Sequence, residues 1–182
     1  MNLTTANQLT IARMLLIPAF VILLLYEYRG WALVTFFTAG ITDLLDGLAA
    51  RLTGEKTTLG AWLDPMADKL LLVTMFVMLT LPGLGLAVRL PIWLTVVVIS
   101  RDIAIVLTVA VFNLAVAHRT FKPSLLGKAA TVMYVVTGVV TLYANYQERM
   151  IPLVDVCVWG TLAITLVSAF EYLVRLKRHP IE

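Results

Sequence analysis

The sequence predicts an all-α integral membrane protein, with six transmembrane helices and a short N-terminal juxtamembrane segment. Three observations carry that expectation. First, about 60% of the 182 residues are apolar and 14% are charged, too few charges to cover a water-soluble globule. Second, the apolar residues fall into six runs of roughly 17 to 24 residues, each long enough to cross a bilayer as a helix. Third, basic residues are rich and poor in alternate connections, as expected of a chain that crosses repeatedly.

The first run, Leu9 to Tyr26, follows an uncharged start and carries Arg13 early; five more spans come after it, which argues against a cleaved signal. The second is Trp31 to Ala50. The third, Asp64 to Leu81, contains Pro65, which is tolerated in a first helical turn because no backbone donor is needed there. Asp64 then either caps that helix, or the helix begins earlier and is kinked. The fourth, Pro91 to Asn113, holds Arg101 and Asp102 about ten residues in, near mid-bilayer by the helical rise of about 1.5 Å per residue. As sequence neighbours on a helix they point in different directions, so neither simply neutralises the other. The fifth, Leu126 to Ala144, is entered through Lys122-Pro123-Ser124, with Pro123 expected to start the helix. The sixth is Pro152 to Val174. Short connections leave one membrane domain, residues 1–182, as the economical organisation.

With the N-terminus in the cytoplasm, the inner side holds Arg13, Arg51, Lys56, Lys69, Arg119, Lys122, Lys128, Arg175, Lys177 and Arg178. The outer side holds only Arg29, Arg89 and Arg149, ten basic residues against three. Both termini and the loop after the second span therefore face the cytoplasm. The net charge of +3 is spread over separate loops without aromatic platforms, which argues against nucleic acid and for anionic lipid. Cys157 stands alone, so neither an intrachain disulfide nor a thiolate metal site is available; it reads as a small packing residue. Trp31, Trp93 and Trp159 read as interfacial anchors.

Four carboxylates break the apolar pattern: Asp43, Asp46, Asp64 and Asp68, spaced three, eighteen and four apart. Carboxylates beside a bilayer are expensive unless paired or bound to metal. If the second span continues helically through Arg51, then Asp43, Asp46, Gly47, Ala50 and Arg51 share a sector about 140° wide. Asp64 and Asp68 share a face one turn apart. All-oxygen donors without nearby His or Cys suit Mg²⁺ or Mn²⁺ and disfavour zinc. Gly47 and Ala50 permit close approach, and Arg51 can grip an anionic oxygen. The plain alternative is interfacial pairing of these acids with Arg51, Lys56 and Lys69.

In full, the pattern reads Asp43-x-x-Asp46-Gly47-x-x-Ala50-Arg51, eight residues, then Gly60-x-x-x-Asp64-x-x-x-Asp68. It resembles the signature of the CDP-alcohol phosphatidyltransferases at every motif position. The resemblance implies a six-helix membrane enzyme, usually a homodimer, with two divalent cations. Such an enzyme transfers a phosphatidyl group from a CDP-linked lipid to an alcohol and releases CMP. On the matching positions it implies Asp43, Asp46, Asp64 and Asp68 as metal ligands, with Asp68 also the general base. It implies Asn7, Thr10, Asp46, Gly47, Ala50, Arg51, Thr57 and Gly60 around CDP-diacylglycerol.

Three further elements bear on the acceptor. Asn7, Thr10 and Arg13, three apart, make one polar face at membrane entry, with a capped start and a snorkelling Arg13 as the plain reading. An intramembrane Arg101 normally faces a polar cavity, where it can reach a phosphate. Ser124 and Lys128, four apart at the start of the fifth span, add a hydroxyl and an ammonium beside free backbone donors. Together with the LDP-x-ADK extension, these look like the branch of the family that takes sn-glycerol 3-phosphate. Arg101, Ser124 and Lys128 would then hold its phosphate. The nearest alternative is a branch that takes phosphatidylglycerol. A transporter would more typically spread its acids along several spans or show broken helices and repeats. A membrane prenyltransferase would hold its acidic motifs farther apart, without the Gly-x-x-Ala-Arg strip.

Overall fold

The computed structural model describes residues 5–53, 58–116 and 124–178, with side chains described for 11–42, 67–108, 124–172 and 174. Within them the chain forms six α-helices and no strand: α1 (Thr5–Leu25), α2 (Arg29–Thr53), α3 (Thr58–Thr80), α4 (Ile92–Val116), α5 (Leu125–Tyr146) and α6 (Pro152–Arg178). Each apolar run is the core of a helix, and the helices extend past the runs because polar and charged residues also continue a helical backbone. α3 shows this most clearly. It begins at Thr58, so Asp64 lies inside the helix and is not its cap.

Two helices, Leu125–Tyr146 and Pro152–Tyr172, are long and apolar enough among the described residues to cross a bilayer; Ile11–Leu25 is a shorter apolar stretch. The distribution of side chains is that of a chain solvated by lipid. Leu15, Phe37, Leu107, Val132 and Phe170 are exposed, while Arg13, Thr137, Asn145, Thr161, Thr165 and Ser168 are buried.

The helices cluster into two compact units. In the first, Met1–Arg89 with Thr141–Met150, α1 packs against both α2 and α3. Phe20 meets Phe36 with ring centroids 5.8 Å apart, and the fully buried Ala32, Ala39 and Ala67 let the backbones approach. One end of this unit is clasped by polar groups. Arg29 bonds the Glu148 carboxylate at 2.6 Å and the Gly85 carbonyl at 2.5 Å. The buried Asn145 side chain accepts from the Val88 amide at 3.0 Å and donates to the Val88 carbonyl at 2.8 Å. The connections after α1, α3 and α5 are thereby gathered at one end of this unit. Gly85 has φ +59°, and a side chain there would meet the Glu27 carboxylate at 2.9 Å, so the turn needs glycine.

In the second unit, Leu90–Val140 with Ile151–Glu182, α4 packs on α6 and a line of hydroxyls joins α5 to α6. Tyr134 and Thr165 lie 2.9 Å apart, and Thr137 and Thr161 2.6 Å. Thr137 and Thr165 also donate back along their own helices, to the Met133 and Thr161 carbonyls. In an apolar medium, where water cannot compete, such side-chain bonds join helices that greasy surfaces alone would not select. Trp93 and Trp159, 42% and 64% exposed, touch with centroids 5.8 Å apart. Cys157 is free and buried, as a packing residue would be.

Candidate active site

The backbone positions of the aspartate motif are helical. Asp43 and Asp46 lie one turn apart in the C-terminal half of α2, and Asp64 and Asp68 one turn apart in α3. Gly47, Ala50 and Arg51 continue α2, and Gly60 is in the first turn of α3, so the helical continuation expected after Asp43 is present. Asn7 and Thr10 are in the first two turns of α1. The side chains of Asn7, Thr10, Asp43, Asp46, Arg51 and Asp64 lie outside the described ones, as do the surroundings of Gly47, Ala50 and Gly60. Thr57, Lys56, Arg119, Lys122 and Pro123 lie outside the described residues altogether.

Asp68 is described in full. Its Oδ1 accepts from Nη1 of Arg13 at 2.9 Å, joining α3 to α1. The Arg13 side chain is completely buried, and the Asp68 side chain is 44% exposed. Arg13 therefore does not snorkel: at the ninth position of α1 it faces α3 rather than the membrane boundary, and its Nη1 is bonded to a carboxylate one helix away. The sequence reading missed this pair because nothing in linear spacing ties position 13 to position 68.

A second polar cluster forms in the other unit around Arg101. Its Nη1 donates to Asp102 Oδ1 at 2.8 Å, and its Nη2 to Ser168 Oγ on α6 at 2.5 Å. This corrects the expectation that Arg101 and Asp102 do not neutralise one another. The two Cα–Cβ bonds do diverge, but the long arginine stem lets its guanidinium fold back to the neighbouring carboxylate. Arg101 is about 90% buried by side chain, and its Nε has no hydrogen-bond partner. Ser168 is 2% exposed and was not anticipated. A buried serine on an apolar helix face was the available signal.

The same guanidinium approaches the start of α5. A Cβ on Gly127 would lie 3.4 Å from Arg101 Nη2 and 3.1 Å from Ser124 Oγ. Arg101, although in the middle part of α4, thus sits level with the first turn of α5. Ser124 precedes α5 as its N-cap: its hydroxyl accepts from the Gly127 amide at 2.9 Å and its carbonyl from the Lys128 amide at 3.1 Å. The helix starts at Leu125, so Ser124 rather than Pro123 marks its boundary. One of the backbone donors expected to be free is taken up by that hydroxyl. Lys128 is exposed on the first turn. Arg101, Ser124 and Gly127 are brought together, with Lys128 the next residue along.

Residues 3–167 match the family model described as CDP-alcohol phosphatidyltransferase, a span that includes Arg13, Asp68, Arg101, Ser124 and Gly127 and ends one residue before Ser168. The chain belongs to that family. CDP-alcohol phosphatidyltransferases of this kind are transferases of phospholipid biosynthesis with membrane helices, and the family generally uses divalent metal ions. This member is 30% identical to the CDP-diacylglycerol--glycerol-3-phosphate 3-phosphatidyltransferase of Bacillus subtilis, over 91% of each chain. It is 33% identical to a Mycobacterium tuberculosis protein named "Probable phosphatidylglycerophosphate synthase", over 95% of this chain and 81% of that one. It is 32% identical to the cardiolipin synthase (CMP-forming) of Rattus norvegicus, over 93% of this chain and 61% of that one.

The donor set suits the metal the family uses. All four motif residues supply hard carboxylate oxygens, and Asp68, the one described in full, is accessible enough for a cation to reach. Among the described residues there is no group of three or more acidic, histidine or cysteine side chains that could hold a metal; three of the four motif carboxylates lie outside them.

Proposed function

We propose that this protein transfers the phosphatidyl group of CDP-diacylglycerol to sn-glycerol 3-phosphate, giving phosphatidylglycerophosphate and CMP. The oxygen of the acceptor's primary hydroxyl forms a bond to the phosphatidyl phosphorus, and the bond from that phosphorus to the bridging oxygen of CMP breaks. Asp68 takes the hydroxyl proton. Asp43, Asp46, Asp64 and Asp68 would hold two Mg²⁺ or Mn²⁺ ions, which neutralise charge building on the diphosphate. Asn7, Thr10, Asp46, Gly47, Ala50, Arg51, Thr57 and Gly60 bind the CDP-lipid. The enzyme is a homodimer of single-domain chains with six spans in the cell (inner) membrane. Its active site and both termini are cytoplasmic.

The observation that supports the acceptor is the Arg101 cluster. Asp102 offsets part of the Arg101 charge, but a guanidinium this deeply enclosed, with one N–H donor unspent, a glycine in place of a side chain beside it and Lys128 next along, suits a compact anion. Ser124 and Lys128 complete the phosphate site. The second reading, a cardiolipin synthase using phosphatidylglycerol, is favoured by relatives of that name at similar identity.

The test is an acceptor panel. Purified protein with Mn²⁺ is expected to release CMP from CDP-diacylglycerol when glycerol 3-phosphate is supplied. Release with phosphatidylglycerol and none with glycerol 3-phosphate assigns the second reading instead.

A further inference from the structure

Arg13 presents a physical question that its place in a lipid-entering helix does not answer. An arginine cannot shed its charge, and enclosing it completely carries a large desolvation cost before any partner is counted. A buried ion pair is a poor way to hold α1 on α3, because apolar residues of similar volume often do as well or better. Ile17, Ala67 and Leu71 already bury apolar surface on these helices.

What the pair supplies is direction. Its two ends are unequal: the guanidinium has no exposure, whereas the carboxylate is 44% exposed. The donor is locked in packed protein and the acceptor faces accessible space. A bond of 2.9 Å from the enclosed Nη1 to Oδ1 favours one orientation of the carboxylate on α3.

We infer that Arg13 is a positioning residue, holding the Asp68 carboxylate through Oδ1 in the orientation in which it receives the acceptor's proton and a cation. The inference rests on the role proposed above for Asp68. Arg13 acts from behind that carboxylate. Its removal should therefore change turnover and cation affinity while sparing the hold on the CDP-lipid.

The experiment uses the full-length protein in detergent with Arg13→Gln, Arg13→Lys, Asp68→Asn and the Arg13→Gln/Asp68→Asn double variant. Two quantities are read: steady-state CMP release, and the Mn²⁺ concentration giving half-maximal thermal stabilisation with no substrate present. Arg13→Gln is expected to lower kcat by about 10- to 100-fold and raise the Mn²⁺ midpoint by a similar factor, the range seen when the partner of a metal-binding group is removed. Measured at saturating Mn²⁺, the KM for CDP-diacylglycerol should stay within about twofold, because the groups proposed to bind the lipid are left in place. Arg13→Lys keeps the charge without the planar fork and should fall between Gln and wild type in both readouts. In the Asp68→Asn background, Arg13→Gln should shift the Mn²⁺ midpoint no further, since the two groups act as a unit.

A folded Arg13→Gln protein with wild-type kcat and Mn²⁺ midpoint overturns the inference, as does an additive shift in the double variant. Should Arg13→Gln not fold, wild-type values for Arg13→Lys in both readouts overturn it. Full activity in Asp68→Asn removes the role of Asp68 and the inference with it. An inactive Asp68→Asn beside an unaffected Arg13→Gln removes the inference alone.

Discussion

Gly127 illustrates how much depends on a missing side chain. Sequence inspection marks it only as a residue between Ser124 and Lys128, yet the space a methyl would occupy is bordered by Ser124 Oγ at 3.1 Å and Arg101 Nη2 at 3.4 Å. Gly127→Ala therefore presses on both groups of the proposed phosphate site. It is expected to raise the KM for glycerol 3-phosphate by about tenfold, because sub-ångström displacement of a binding group is already costly. The KM for CDP-diacylglycerol should change by less than about twofold, and comparing the two saturation curves checks this. Arg101 itself was legible as functional from its charge within an apolar run. Its bonds to Asp102 and Ser168 were not, since a long flexible side chain can reach in directions that helical spacing does not constrain.

At the scale of elements, the same apolar runs that announce the helices say little about what joins them. Asn145 is buried near the end of α5 and holds both the amide and the carbonyl of Val88, fastening the connection between α3 and α4. Removing its amide group in Asn145→Ala leaves those two backbone groups without their partner. The expected cost is about 1–3 kcal/mol. Each kcal/mol lowers the melting temperature by roughly 2–4 °C in a chain of this size, measurable by thermal unfolding in detergent. Helix boundaries were similarly half-legible. Pro65 left open whether α3 began at Asp64, and the structure starts it at Thr58, because a proline inside a helix forfeits only one backbone bond when neighbours stabilise the rest.

For the whole molecule, the decisive quantity is the negative charge of the aspartate motif. With Asp43, Asp46, Asp64 and Asp68 as ligands, chelation by EDTA should abolish CMP release, by at least about 100-fold. Mg²⁺ or Mn²⁺ should restore it and Zn²⁺ should not, since the donors are all hard oxygens. Retained turnover in EDTA, or recovery with Zn²⁺ alone, would contradict the assigned ligand chemistry.

By itself the sequence determined the helical class, the six apolar cores and the family, since each depends on local periodicity or on fixed spacing within about 26 residues. It also marked Asp68, Arg101, Ser124 and Lys128 as chemically out of place. Only the tertiary structure decided their partners: Arg13 for Asp68 across 55 positions, and Ser168 for Arg101 across 67. The physical reason is that a helix displays its local neighbours by rule, whereas contacts between helices depend on how the packed surfaces meet. A buried charge must find an opposite group wherever that packing places one.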